Sequence, residues 1–219
     1  LLCIAGVGAV AEEKNDFLSI TGPCHLTFPK DHGPHPGYRT EWWYYTGNLV
    51  AESGDRYGFQ LTFFRSQISP TDAAQNWPRP SSSWRTQQIY AGHAAISDLN
   101  KKRHQHAELM GREALGIAGI SQEGSQTTVF IKNWSATIGA ESHHLKAHTV
   151  DFSIDLRLQS AKPPVLHGQA GYSRKGSTAE RASCYYSLTR LISKGWMQID
   201  GQTVEVEGLS WMDHEYSTA

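Results

Sequence analysis

The sequence predicts an all-β protein, an antiparallel sandwich or barrel with little helix. Three observations carry this. Apolar and polar residues alternate with period two from about residue 38 onward. Short turn signals separate the alternating runs. No segment shows the long apolar stripe of period 3.6 that a packed helix needs.

The elements follow in chain order. "LLCIAGVGAVAEE" is an apolar run closed by Ala9-Val10-Ala11 and then acids. It reads as the end of a secretory leader over residues 1–11, removed before Glu12, with residues 12–219 as the folded domain. That places the protein outside the cytoplasm, secreted or periplasmic. The run is too short to span a bilayer. Cys3 leaves with the leader, and Cys24 and Cys184 remain. Their pairing is left open, because sequence separation says nothing of separation in space.

Residues 40–49, "TEWWYYTGNL", form the first strand, and "ESGD" at 52–55 turns it into 57–65, "YGFQLTFFR". A Pro/Ser-rich loop at 69–83 carries one helical turn after Thr71. Further strands are expected at 88–98, 104–112, 127–138, 149–159, 183–192, 195–199, 202–206 and 209–216. Asp200-Gly201 is a two-residue hairpin signal.

The first strand has rings on both faces. Glu41, Trp43 and Tyr45 point one way, Trp42 and Tyr44 the other. A strand covered on one side only has no need of both sets, so a cavity or a second layer is expected behind one face. Glu41 is the odd member, and Arg39 and Arg65 are its candidate partners. "GLSWMDHEY" repeats the theme: Trp211, Asp213 and Glu215 share one face, Met212, His214 and Tyr216 the other.

Composition excludes some classes. With 20 basic and 21 acidic residues there is no footprint for nucleic acid. There is no G-x-S-x-G elbow, P-loop, G-x-G-x-x-G or C-x-x-C. The histidines in "DHGPH", "HQH" and "HHLKAH" are scattered. The reading therefore takes no cofactor and no metal.

Several long motifs carry a resemblance: "FPKDHGPHPGYRTEWWYYTGNL", "RSQIS", "AGHAAISD", "KPPVLHG", "YYSLTRL" and "GLSWMDHEY". Over residues 25–216 the chain resembles the lipocalin-like superfamily of carotenoid hydratases (CrtC) and AttH-type proteins. The resemblance implies a calycin-type β-barrel, paired with a second lipocalin-like domain of which this chain holds only the amino-terminal partner. It implies hydration of an isoprenoid double bond without a cofactor in some members, a "secreted hydrolase" label and transporter-linked operons in others. Gln169 stands where the family usually has an acid, and Ser217 where it has Gly.

Three functions are weighed. The first is a barrel whose greasy hollow holds an apolar small molecule, with Trp42, Trp43, Tyr44, Tyr45, Phe64, Arg65 and Trp211 as contacts. The second is an acid/base hydratase, with Asp213 or Glu41 giving the proton and His214 or His32 activating water. The third is a docking domain for an ABC transporter or for the second barrel.

Overall fold

The computed structural model describes residues 17–218. The expected leader and Cys3 lie outside the described residues. Among the described residues the regular structure is almost entirely strand: β1 Thr40–Ala51, β2 Arg56–Gln67, β3 Gln88–Asp98, β4 Arg103–Arg112, β5 Ala118–Glu123, β6 Gln126–Ile131, β7 Trp134–Ile138, β8 Ser142–His148, β9 Phe152–Ser160, β10 Val165–Leu166, β11 Tyr172–Arg174, β12 Ala182–Ile199 and β13 Gln202–Ser217. The sheet runs β4-β3-β2-β1-β13-β12-β9-β8-β7-β6-β5, every pair antiparallel, with β10 and β11 added to β12. It curls into a nearly closed barrel, so the expected all-β antiparallel barrel stands. The helical turn after Thr71 is a 3₁₀ turn, Thr71–Asn76.

The two edges of the sheet meet where side chains are small. A Cβ at Gly92 on β3 would lie 3.1 Å from Ile131 and Trp134, and one at Gly111 on β4 would lie 2.9 Å from Ala118. Any larger residue there would push β3 and β4 off the facing wall.

Five of the expected strands are divided differently. The run 127–138 is two strands, because Lys132 takes a left-handed φ of 54° and turns the chain. The inward residues change parity across that turn, from Val129 and Ile131 to Trp134, Ala136 and Ile138. Conversely, 183–192 and 195–199 are one strand, β12, carrying a bulge between Leu188 and Leu191. The runs 202–206 and 209–216 also merge, into β13. Strands β5, β8, β10 and β11 were not expected. β5 is short and rich in Gly, Ser and Gln; β8 hides its period because a histidine, His143, holds an inward position beside Leu145 and Ala147.

The interior differs from the expected hollow. Trp43, Tyr45, Leu61, Phe63, Leu145, Leu156, Tyr186 and Met212 have no exposed surface and belong to one contiguous core. A lining would keep some surface accessible to a water-sized probe, whereas these side chains meet across the barrel and fill it.

One end of the barrel is crossed by residues 18–37, which include a 3₁₀ turn at Lys30–His32. Phe28 packs edge-on to Tyr186 at 4.8 Å. Cys24 and Cys184 are joined by a disulfide across a Cα separation of 6.0 Å, which settles the pairing left open above. It closes a loop 160 residues long. Removing so long a constraint frees much unfolded-state entropy. Replacing both cysteines by alanine is expected to cost about 2–5 kcal/mol in urea unfolding. A double variant as stable as wild type would show that the strap is held by its other contacts alone.

Candidate functional site

The sequence-predicted residues divide between two faces of the same strands. Alternation sends Glu41, Trp43, Tyr45, Arg65 and His214 inward, where the strap adds His32. It sends Trp42, Tyr44, Phe64, Trp211 and Asp213 outward, half-buried. The two groups do not meet.

Inside, Glu41 is the hub. Its carboxylate accepts from Arg65 Nε at 2.9 Å, His35 Nδ1 at 2.7 Å and His214 Nε2 at 2.9 Å. The His35 backbone N–H also donates to it, at 3.1 Å to Oε2. Burial by itself would raise the Glu41 carboxyl. Hydrogen bonds from His214 and His35 outweigh it and hold the group below the usual carboxylate range. Arg65 spends its other N–H groups on Gln67, Gln88 and the carbonyls of His35 and Tyr38. Arg39, the other candidate partner, is not on this carboxylate.

The network continues through residues that the sequence reading did not single out. Tyr186 Oη lies 3.0 Å from His214 Nδ1 and 2.6 Å from His32 Nδ1. Tyr45 Oη lies 2.8 Å from His143 Nδ1. Burial, then the neighbouring His214, pulls His32 down to about 4; burial, then His32, pulls His143 down to about 3. Burial also lowers His214, against the pull of Glu41. The interior therefore holds neutral imidazoles and one ion pair.

His35 Nδ1, Glu41 Oε1 and His214 Nε2 lie within 4.8 Å of one another, a set with divalent-cation ligand types. Hydrogen bonding fits it better. The nitrogens already touch the carboxylate directly, and the Arg65 cation occupies its other oxygen. A divalent ion there would add charge beside a buried guanidinium.

Outside, the strand registers set residues in rows. Thr62, Tyr44, Asp213 and Ser187 stand side by side across β2, β1, β13 and β12. The next row is Phe64, Trp42, Glu215 and Tyr185. Asp213 thus lies among Tyr44, Trp42, Trp211 and Tyr185. Its Oδ1 accepts from Trp211 Nε1 at 2.7 Å, from Tyr185 Oη at 3.0 Å and from the Ser187 hydroxyl. Burial, then the charge of Asp213 over the opposing effect of Ser187, pushes the Tyr185 hydroxyl up to about 12, so it remains a donor. Glu215 on the same face is tied to Lys175 at 2.7 Å.

The "HGQAG" turn brings one more group. Left-handed backbone at Gly168, Ala170 and Gly171 folds 167–171 back over β12, and a Cβ at Gly168 would collide with the Tyr172 carbonyl. His167 is thereby stacked on Tyr185, ring centroids 3.9 Å apart, with Nε2 at 2.6 Å from Ser187 Oγ. The signal for His167, Tyr185 and Ser187 was present in "KPPVLHG" and "YYSLTRL". It showed no chemistry until the register was known.

Fold and outer face together define a lipocalin-like antiparallel barrel with a filled core and a ring-bearing, carboxylate-bearing outer wall. Residues 19–219 match the family model described as AttH-like, and the chain belongs to the AttH-like family. It is similar to the crystal structure of an AttH protein from Nitrosomonas europaea, 30% identical with a TM-score of 0.77, over 92% of this chain and 59% of that one. It shares the fold of kievitone hydratase from Nectria haematococca, at 12% identity and a TM-score of 0.58, over 94% of this chain and 58% of that one. It shares it also with CghA, solved with Sch210972, at 11% identity and a TM-score of 0.54, over 94% of this chain and 55% of that one. The chain thus spans less than two thirds of the length of these relatives. No curated protein matches it.

Proposed function

We propose that the chain supplies one wall of a site for an apolar, unsaturated small molecule of isoprenoid type, laid on the outer face of β1, β2, β12 and β13. One observation carries this reading. Trp42, Tyr44, Phe64, Trp211 and Tyr185 form a half-exposed ring strip around a hydrogen-bonded carboxylate. Rings of this kind bind flat apolar ligands, and each is worth about 1.5–3 kcal/mol when fully covered. A face this apolar calls for a cover, and the length of the solved relatives suggests a second domain as the other wall. The disulfide fits the expected oxidising compartment.

A second reading, cofactor-free addition of water to the ligand's double bond, is favoured by the place of Asp213. It sits where a ligand lying on the rings would touch it, whereas Glu41 is sealed in the core beneath Trp43 and His35. The fold shared with a hydratase supports this reading at the level of architecture.

Farnesol titrated into the folded chain is expected to quench tryptophan fluorescence. Trp211→Ala should weaken its affinity about tenfold, equivalent to about 1.4 kcal/mol. Trp43→Phe, a core change, should leave affinity within about twofold of wild type. Absence of quenching, or a loss in the core variant as large as in the outer one, overturns the outer-face reading.

A further inference from the structure

Ser187, His167 and Asp213 are the residue types of a nucleophilic triad, but they are joined in another order. In a triad the acid orients the histidine and the serine oxygen faces the substrate. Here Asp213 meets the serine, and Ser187 has no exposed surface. His167 Nδ1 has no hydrogen-bond partner among the described residues, while its Nε2 is on Ser187 at 2.6 Å. The serine is therefore a link and not a nucleophile.

The donor and acceptor roles are fixed by what each group offers. A carboxylate only accepts, so the Ser187 hydroxyl donates to Asp213. Its oxygen then accepts the Nε2–H of His167. The neutral ring carries its proton on Nε2 and leaves Nδ1 bare.

We propose that His167 is a positioning residue that restores the proton of Asp213 through Ser187. The proposal rests on the reading of Asp213 as the acid. In that reaction Asp213 gives its carboxyl proton to one alkene carbon; the π pair forms the C–H bond and leaves a cation on the neighbouring carbon. Water bonds to that carbon through oxygen and loses a proton to solvent. Asp213, now a carboxylate, takes the Ser187 hydroxyl proton while Ser187 Oγ takes the Nε2 proton of a His167 imidazolium charged from solvent at Nδ1. One solvent proton replaces the one delivered, and no other reagent is needed. The substrate is accordingly one whose double bond yields a stabilised cation, such as a trisubstituted alkene of an isoprenoid, held against the faces of Trp211 and Tyr185.

Four ionisable groups surround the ring and its link: Tyr185 stacked on it, Lys175 5.3 Å from the centre of the Tyr185 ring, Glu215 paired with Lys175, and Asp213. The test separates His167 from these by variant. Nitrogen-15 NMR of the ligand-free full chain, with His167→Gln and Trp211→Phe for assignment, should find neutral His167 as the Nε2–H tautomer while Asp213 is a carboxylate, and as the Nδ1–H tautomer once the relay has protonated Asp213. The Trp211 indole resonance, which reports on Asp213 through its 2.7 Å bond, should shift with the His167 midpoint. In Ser187→Ala that shift should be lost while His167 still titrates, and Ser187→Thr should restore it. A Trp211 shift that survives Ser187→Ala, or a wild-type Trp211 resonance that does not move with His167, overturns the proposal. Because no ligand is present, the result is independent of the farnesol titration.

Discussion

Glu41→Ala is expected to destabilise the protein by about 3–5 kcal/mol, the cost of breaking a buried ion pair from one side. The loss comes from the groups left behind. Arg65, with 2% of its surface exposed, would keep its charge and lose the one carboxylate it pairs with among the described residues. The His214 Nε2–H and the His35 N–H groups would lose their acceptor. The size of the effect therefore depends on what remains of the network. Glu41→Leu combined with Arg65→Met should cost clearly less than the sum of the two single changes, because no unpaired charge is then buried. Urea unfolding at neutral pH measures all four variants. A loss below about 1 kcal/mol in Glu41→Ala would mean that water reaches Arg65 and that the inner network is not sealed.

The aromatic strand illustrates what alternation could and could not tell. Its faces separated correctly: Trp43 and Tyr45 went one way, Trp42 and Tyr44 the other. Which face held a ligand was not legible, because a period says that two faces differ and nothing about how much volume opposes them. The inner face turned out to be buried in one core with Phe63, Tyr186 and Leu145, none of which has exposed surface.

The outer cluster was hidden for a second reason. The Asp200-Gly201 turn sets Ile199 against Gln202. Continued without a break, that register would place Ser187 opposite His214, on the inner side. The bulge between Leu188 and Leu191 slips the pairing by one residue, so Ser187 faces Asp213 and Tyr186 faces His214. One extra residue thus decides which tyrosine joins the core network and which joins the carboxylate. The strap explains the remaining gap. His32 and His35 reach the barrel from a segment with no periodicity, held by a disulfide whose partner lies 160 residues away.

The inner histidines give the second large effect, a steep loss of stability on mild acidification. An unfolded imidazole titrates near 6.5. Folding depresses His32 to about 4 and His143 to about 3, and lowers His214 as well. Below pH 6.5 the unfolded chain therefore binds protons that the folded chain refuses. Stability from these groups is intact above that value and falls with pH until each folded value is reached. Each group gives about 1.4 kcal/mol per pH unit, so at pH 5 His32 and His143 together remove about 4 kcal/mol, and His214 adds to it. Glu41 acts in the same direction but later: its folded value is depressed, so its contribution is lost only below the ordinary carboxylate range, about 4.5. The window between pH 6.5 and 4.5 thus isolates the imidazoles from the carboxylate. His143→Phe, which removes one neutral ring and its unpartnered Nε2, should flatten the slope in that window by about one proton, or about 1.4 kcal/mol per pH unit. Urea unfolding of wild type and His143→Phe at several pH values reads the slope directly. Equal stability of the wild type at pH 7 and pH 5, or the same slope in both proteins, would mean that these rings accept protons inside the fold.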